Sequence, residues 1–177
     1  MRLFVLLLSL CIATCLPAHA QQPEQQSYRA IKGIKIANGQ EVPDFSSSVN
    51  LKSYRGKPLL INFYSAHCPP CLREIPKLNA LKHLNPDLQV LAITPDTADE
   101  AVEYAEKRGL SWPIATPGED YMFKTLGIEA FPTFAIVDAN GNLLSATYGN
   151  QLAGEDGHAT LAGISAWVES VLAKKLN

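Results

Sequence analysis

The sequence predicts an α/β domain, a mixed central β-sheet flanked by helices. Three observations lead there. Apolar runs of strand length recur at 59–64, 90–94 and 133–138. Stretches with helical spacing of apolar residues follow the first two runs and close the chain. Asn140-Gly141 then joins the last two strand segments as a hairpin turn. The order is β-α-β-α, a short helix, a β-hairpin and a final helix, which places helices on both faces of the sheet.

The first 20 residues read as an export signal rather than as part of the fold. Arg2 supplies a positive start, Leu3 to Leu16 form an apolar run, and Ala18-His19-Ala20 matches a small-x-small cleavage site. That run is 14 residues long, short of the roughly 20 that span a bilayer. Pro17 interrupts it further, so a retained anchor is the lesser reading. A lipoprotein signal at Ile12-Ala13-Thr14-Cys15 is weaker still, because Thr14 is large for that motif. Residues 21–30, polar and Gln-rich, form a linker, and residues 31–177 form one domain.

Within the domain, Ile31 to Phe45 alternates short apolar stretches with Asn38-Gly39 and Val42-Pro43-Asp44, which predicts an N-terminal β-hairpin extension. Tyr54 to Pro58 turns into the strand 59–64, whose unbroken apolar run suits burial on both faces. Cys68 opens a helix to about Leu84, with Leu72, Ile75, Leu78, Leu81 and Leu84 on its apolar side and a kink expected at Pro76. Val90 to Thr94 is the next strand, and Thr97 to Arg108 a helix stopped by Gly109. Glu119 to Leu126 predicts a short helix closed by Gly127. The pair 133–138 and 143–148 is the hairpin, and Leu161, Ile164, Trp167, Val168, Val171 and Leu172 face inward from a helix over 160–176. Gln151 to Ala159, Gly-rich and acidic, reads as an insertion at the far end of a groove.

Apolar residues make up 47% of the chain and charged ones 18%, enough to bury a core and too few charges for disorder. The formal charge is −2, and Arg2 is the only charge in residues 1–20, so the domain without them carries −3. A mildly acidic chain without a basic stripe excludes nucleic acid as the main partner. Of four cysteines, Cys11 and Cys15 lie in the leader, which leaves Cys68 and Cys71. A structural disulfide framework would use several dispersed cysteines. One tight pair closes too small a loop to stabilise much, so it is kept for reactivity.

At a strand-to-helix junction, a Cys68-Cys71 disulfide can close across the first helical turn. The helix N-terminus favours an anion there and lowers the thiol pKa. Cys68 is then the nucleophile that forms a mixed disulfide, and Cys71, one turn in, resolves it. Structural zinc needs four ligands, and no second pair exists. Two thiolates still satisfy Cu(I), and an inert disulfide stays open as well. Glu74, one turn beyond Cys71, is the candidate proton acceptor, against the alternative of a solvated helix carboxylate. Arg73 and Lys77 are expected to face solvent.

The stretch Asn62-Phe63-Tyr64-Ser65-Ala66-His67-Cys68-Pro69-Pro70-Cys71-Leu72-Arg73-Glu74-Ile75-Pro76 resembles the active-site segment of the TlpA/ResA-like branch of the thioredoxin family. Phe131-Pro132-Thr133-Phe134-Ala135-Ile136-Val137-Asp138 resembles that branch's second signature, and Leu51 to Lys57 its usual approach to the catalytic strand. The match runs from about Val42 to the C-terminal helix. It implies a thioredoxin-like fold and a cis peptide between Phe131 and Pro132, where spacing alone leaves cis and trans equally open. It also implies that His67, Phe131 and Pro132 line the substrate groove and that an acid at Glu74 is functional. Two positions depart from the pattern. His67 stands where Trp is usual, either tuning the thiolate or merely lining the groove. Asn62 stands where ordinary thioredoxins bury an acid, and an amide cannot shuttle protons.

The resemblance implies a thiol–disulfide oxidoreductase without a cofactor, most simply a periplasmic disulfide reductase. Its partners would be exported protein substrates and a membrane-embedded electron donor. Thiol oxidation is the opposite direction of the same chemistry. A Cu(I)-handling role is weakened because copper carriers on this fold space their cysteines one residue further apart and add a distant His.

Overall fold

Leu59 to Phe63 is buried at every position, as an unbroken apolar run requires, and forms the central strand β1. The computed structural model describes residues 34–175, so the leader at 1–20 and the linker at 21–30 lie outside the described residues. The other strands are β2 (Gln89–Ile93), β3 (Ile114–Ala115), β4 (Thr133–Val137) and β5 (Leu143–Tyr148). The sheet order is β3-β2-β1-β4-β5. β1 pairs in parallel with β2 and antiparallel with β4, so the mixed sheet changes sense beside its central strand. β3 has two residues, too short to leave a periodic signal in the sequence.

Alternation along β1 serves two cores. Leu60 and Tyr64 join the helices α1 (Pro69–Leu84) and α3 (Leu161–Lys175), packing with Leu78, Leu81, Ile164 and Trp167. Leu59, Ile61 and Phe63 point the other way, against Val42, Leu51, Met122 and Leu126. Each such aliphatic side chain fully removed from water contributes about 1.5–3 kcal/mol before entropy is charged. The helix α2 (Ala98–Arg108) starts with a capping box between Thr97 and Glu100 and ends at Gly109, whose φ of 74° is the left-handed conformation that glycine reaches without strain. Its Tyr104 stacks on Tyr64, with ring centroids 4.8 Å apart.

Three expectations are adjusted. Leu84 does not belong to the buried face of α1 and is 64% exposed. A strict three-residue spacing turns about 60° short of a full circle at each step, so it walks around the helix. The face that packs is instead Cys71, Glu74, Ile75, Leu78 and Leu81. The short helix near 119–126 is a π-helical turn, Asp120–Thr125, with Leu126 N–H donating to Tyr121 O at 2.9 Å. The hairpin over 31–45 falls partly outside the described residues. Its Asn38-Gly39 turn is present, Gln40 N–H donating to Ala37 O, but residues 39–42 then bond to the β4–β5 turn around one bridge, Glu41 to Asn142. The ready backbone groups of that neighbouring turn, Gly141 O and Leu143 N–H and O, take its bonds.

Candidate active site

Cys68 is the N-cap of α1, with extended backbone at φ −96° and ψ 103°. Its Sγ accepts the Cys71 N–H at 3.3 Å, satisfying one of the helix's otherwise unpaired amides. Pro69 and Pro70 take the first helical positions, where no donor is needed. Cys68 and Cys71 are joined in a disulfide, their Cα atoms 5.4 Å apart. Cys68 is half-buried, whereas Cys71 is 3% exposed. Pro76 lies on the exposed side of α1, and the helix is continuous through it.

The turn before Cys68 is tied to the end of β2. The Asp96 carboxylate accepts the Ala66 N–H at 2.6 Å and the Thr94 hydroxyl at 2.5 Å on Oδ2, and the Ser65 hydroxyl at 3.4 Å on Oδ1. Cys68 N–H donates back to Ser65 O at 3.1 Å.

A cleft of about 520 Å³ opens at Pro70, which stands between the two cysteines in the chain. Pro70 and Glu74 of α1 form one side, Phe131 and Pro132 another, and Tyr148 and His158 complete it. The Phe131–Pro132 bond is cis, as the resemblance implies. Pro132 O accepts the Gly149 N–H at 2.8 Å, which fixes this loop to the end of β5.

Glu74 is buried, 2% exposed, so the solvated alternative does not hold. Its Oε2 has no hydrogen-bond partner among the described residues. Desolvation pushes its pKa up to about 8, opposed in part by the Lys77 ammonium. Asn62 is equally buried on β1, and its Nδ2 also lacks a partner among the described residues.

Residues 37–161 match the family model described as Redoxin. The chain belongs to that family. Within it the chain is ResA-like: it is 29% identical over 129 residues to a thiol-disulfide oxidoreductase ResA of Bacillus thuringiensis subsp. konkukian, covering 68% of this chain and 75% of the relative. Another protein of that name, from Geobacillus thermodenitrificans, is 32% identical over 117 residues, 61% of this chain and 67% of the relative. A solved structure described as a putative thiol:disulfide interchange protein DsbE from Chlorobium tepidum superposes with a TM-score of 0.63 at 20% identity, over 78% of this chain and 97% of its own. The chain is a thioredoxin-fold thiol–disulfide oxidoreductase of the ResA type, and Cys68 and Cys71 are its redox-capable pair.

In this ResA-like chain the predicted groove residues separate. Phe131 and Pro132 line the cleft with Glu74, but His67 does not. His67 is exposed and borders a second depression of about 310 Å³ with Glu100, Glu103, Tyr104, Lys107 and Arg108 of α2. From Gln151 to Ala159, the segment expected near the groove's far end, Gly157, His158 and Ala159 line the cleft together with Pro70. Arg73 is exposed and meets the His158 ring, while the half-buried Lys77 donates to Ala159 O at 2.5 Å. Both contacts tie the loop to α1. Asp96, Tyr148, Gly149 and His158 join the site only through the fold. Only Asp96 carried a usable signal, as a carboxylate just past the C-terminal end of a strand neighbouring the cysteine-bearing connection, where open α/β sheets place their sites.

Proposed function

We infer that this protein is an exported disulfide reductase that acts on exported protein substrates. One observation carries the chemistry: a half-exposed sulfur caps a helix, its partner sulfur is buried, and a buried carboxyl follows one turn on. In the dithiol form the Cys71 N–H and the helix N-terminus hold Cys68 as thiolate. That thiolate attacks a substrate disulfide, and the departing substrate sulfur takes up a proton. Cys71 then gives its proton to the ionised form of Glu74 and attacks Cys68 Sγ, closing the Cys68–Cys71 bond and releasing the second substrate sulfur, which takes that proton from Glu74 to leave as a thiol. Two electrons pass to the substrate. A membrane-embedded dithiol donor returns them, itself becoming a disulfide. With its pKa pushed up to about 8, the carboxyl is ionised in a minority of molecules at neutral pH, and that form can take a proton and return it.

Phe131 and Pro132 take the substrate chain, with their loop open to the cleft that Pro70 and Glu74 also line. Export is supported by the leader at 1–20, with cleavage after Ala20, and by the use of cysteine in one pair only. The reducing direction rests on the ResA-like resemblance.

The Cys71→Ser variant tests this reading, because it lacks the resolving sulfur. It is expected to accumulate mixed disulfides through Cys68 with envelope proteins, seen as larger species in non-reducing electrophoresis that are lost on reduction. Recovery of none, with the variant folded and exported, would overturn it.

A further inference from the structure

We propose that Asp96 is a positioning residue of the reaction, holding the Ser65–Ala66 turn so that the sulfur of Cys68 sits over the first amides of α1. The inference rests on Cys68 being the attacking sulfur.

The chain of contacts is short and continuous. Asp96 is anchored at the end of β2, where its own N–H donates to Thr94 Oγ1 at 3.3 Å and Thr94 N–H is held by Ala115 O of β3. Its carboxylate takes the backbone of Ala66 at 2.6 Å and the hydroxyls of Thr94 and Ser65. Ser65 passes this on: its Oγ accepts the His67 N–H at 3.4 Å and its carbonyl accepts the Cys68 N–H at 3.1 Å. Cys68 Sγ then meets the Cys71 N–H. The turn bearing Cys68 has no regular secondary structure of its own, so this carboxylate supplies the bonds that a strand or helix would supply.

A carboxylate here also works against the site. Its negative charge opposes a thiolate on the same turn, so charge alone gives no reason to place it beside the nucleophile. Geometry does. Three donors converge on one side chain, and an ionised acceptor binds them more tightly than a neutral one. The tyrosines facing Asp96 add no competing anion. Burial raises Tyr104 to about 12 and Tyr64 further, so both hydroxyls stay un-ionised.

The two effects have opposite signs, which makes the proposal testable in the Cys71→Ser background by the rate of Cys68 alkylation with iodoacetamide across pH. Asp96→Ala removes charge and contacts together. Lost positioning slows alkylation, by about tenfold at pH 6 for a thiol pKa raised by about one unit. Lost charge alone would speed it. Asp96→Asn keeps an acceptor for Ala66 and Thr94 and a group that can bond Ser65, and it should stay within about twofold of the parent or run slightly faster. Should Asp96→Ala not fold, Asp96→Ser, whose hydroxyl is one atom too short to reach the Ala66 N–H, loses the same contact and should slow the reaction in the same direction. Faster or unchanged alkylation in the variant that folds, or Asn slowing as much as Ala, overturns the proposal while leaving the oxidoreductase reading intact. An ordinary thiol profile in the Cys71→Ser parent itself overturns both.

Discussion

The carboxyl of Glu74 fills the space that a side chain at Gly149 would need: a Cβ there would stand 2.6 Å from Oε1 and 2.7 Å from Pro132 Cγ. One missing methyl group therefore lets an acid from α1, the proline loop and the end of β5 meet at one point. Gly149→Ala is expected to push Glu74 and Pro132 apart. Overpacking of this kind costs about 1–3 kcal/mol, to be read in chemical denaturation, and disulfide-reductase turnover should fall with it. A variant of unchanged stability and turnover would show that the three elements are not held together there.

Removing the acid should be felt by the sulfurs. Glu74→Gln takes one like charge out of the coupled titration of carboxyl and thiols, so the upper apparent thiol step moves down, by roughly one unit. Thiolate absorbance against pH measures it. An unchanged titration would leave Glu74 without a part in the proton transfer.

The same burial makes folding stability depend on pH. The pKa of Glu74 is raised from 4.5 to about 8, so the folded protein holds a proton that the unfolded chain releases between those values. That contribution is fully present below about 4.5 and is lost as pH rises through about 8. A shift of this size corresponds to at most about 4–5 kcal/mol, less any relaxation of the buried site. Melting of the oxidised protein should therefore decline from pH 5 to 8 by more than that of Glu74→Gln. Parallel curves would contradict the burial of a protonated carboxyl.

Direction of flux follows from the reduction potential. Equilibration of the Cys68–Cys71 couple with glutathione is expected to place it below the poise of about −180 mV that marks protein disulfide isomerase. A value near −120 mV, where strong thiol oxidants lie, would reverse the assigned direction.

Core packing offers a check on the fold itself. Leu78 is 1% exposed between α1 and the sheet, and Leu78→Ala should cost about 2–5 kcal/mol in denaturation experiments. A loss below 1 kcal/mol would mean that α1 packs elsewhere.

Much of this was legible in the residues. Hydrophobic runs marked β1, β2 and β4, because strands buried on two faces have no polar alternation to hide them. Asn140-Gly141 marked the hairpin, because few other pairs reach that backbone turn. Cys68 and Cys71 were legible because their spacing matches one helical turn. β3 was not, since two residues carry no period. The π-turn at Asp120–Thr125 was not, since its width follows from where Tyr121, Met122 and Leu126 must pack.

Local spacing along the chain thus determined the order of elements, the reactive pair and the acid one turn beyond it. Tertiary structure alone decided that this acid is buried under the proline loop, that His67 and Phe131 line different depressions, and that the segment before Ala159 forms a wall of the cleft. The physical reason is distance along the chain. Contacts within one helical turn are set by neighbours in sequence, whereas Glu74 meets Gly149, and Arg73 meets His158, only after the sheet has brought the two halves of the chain together.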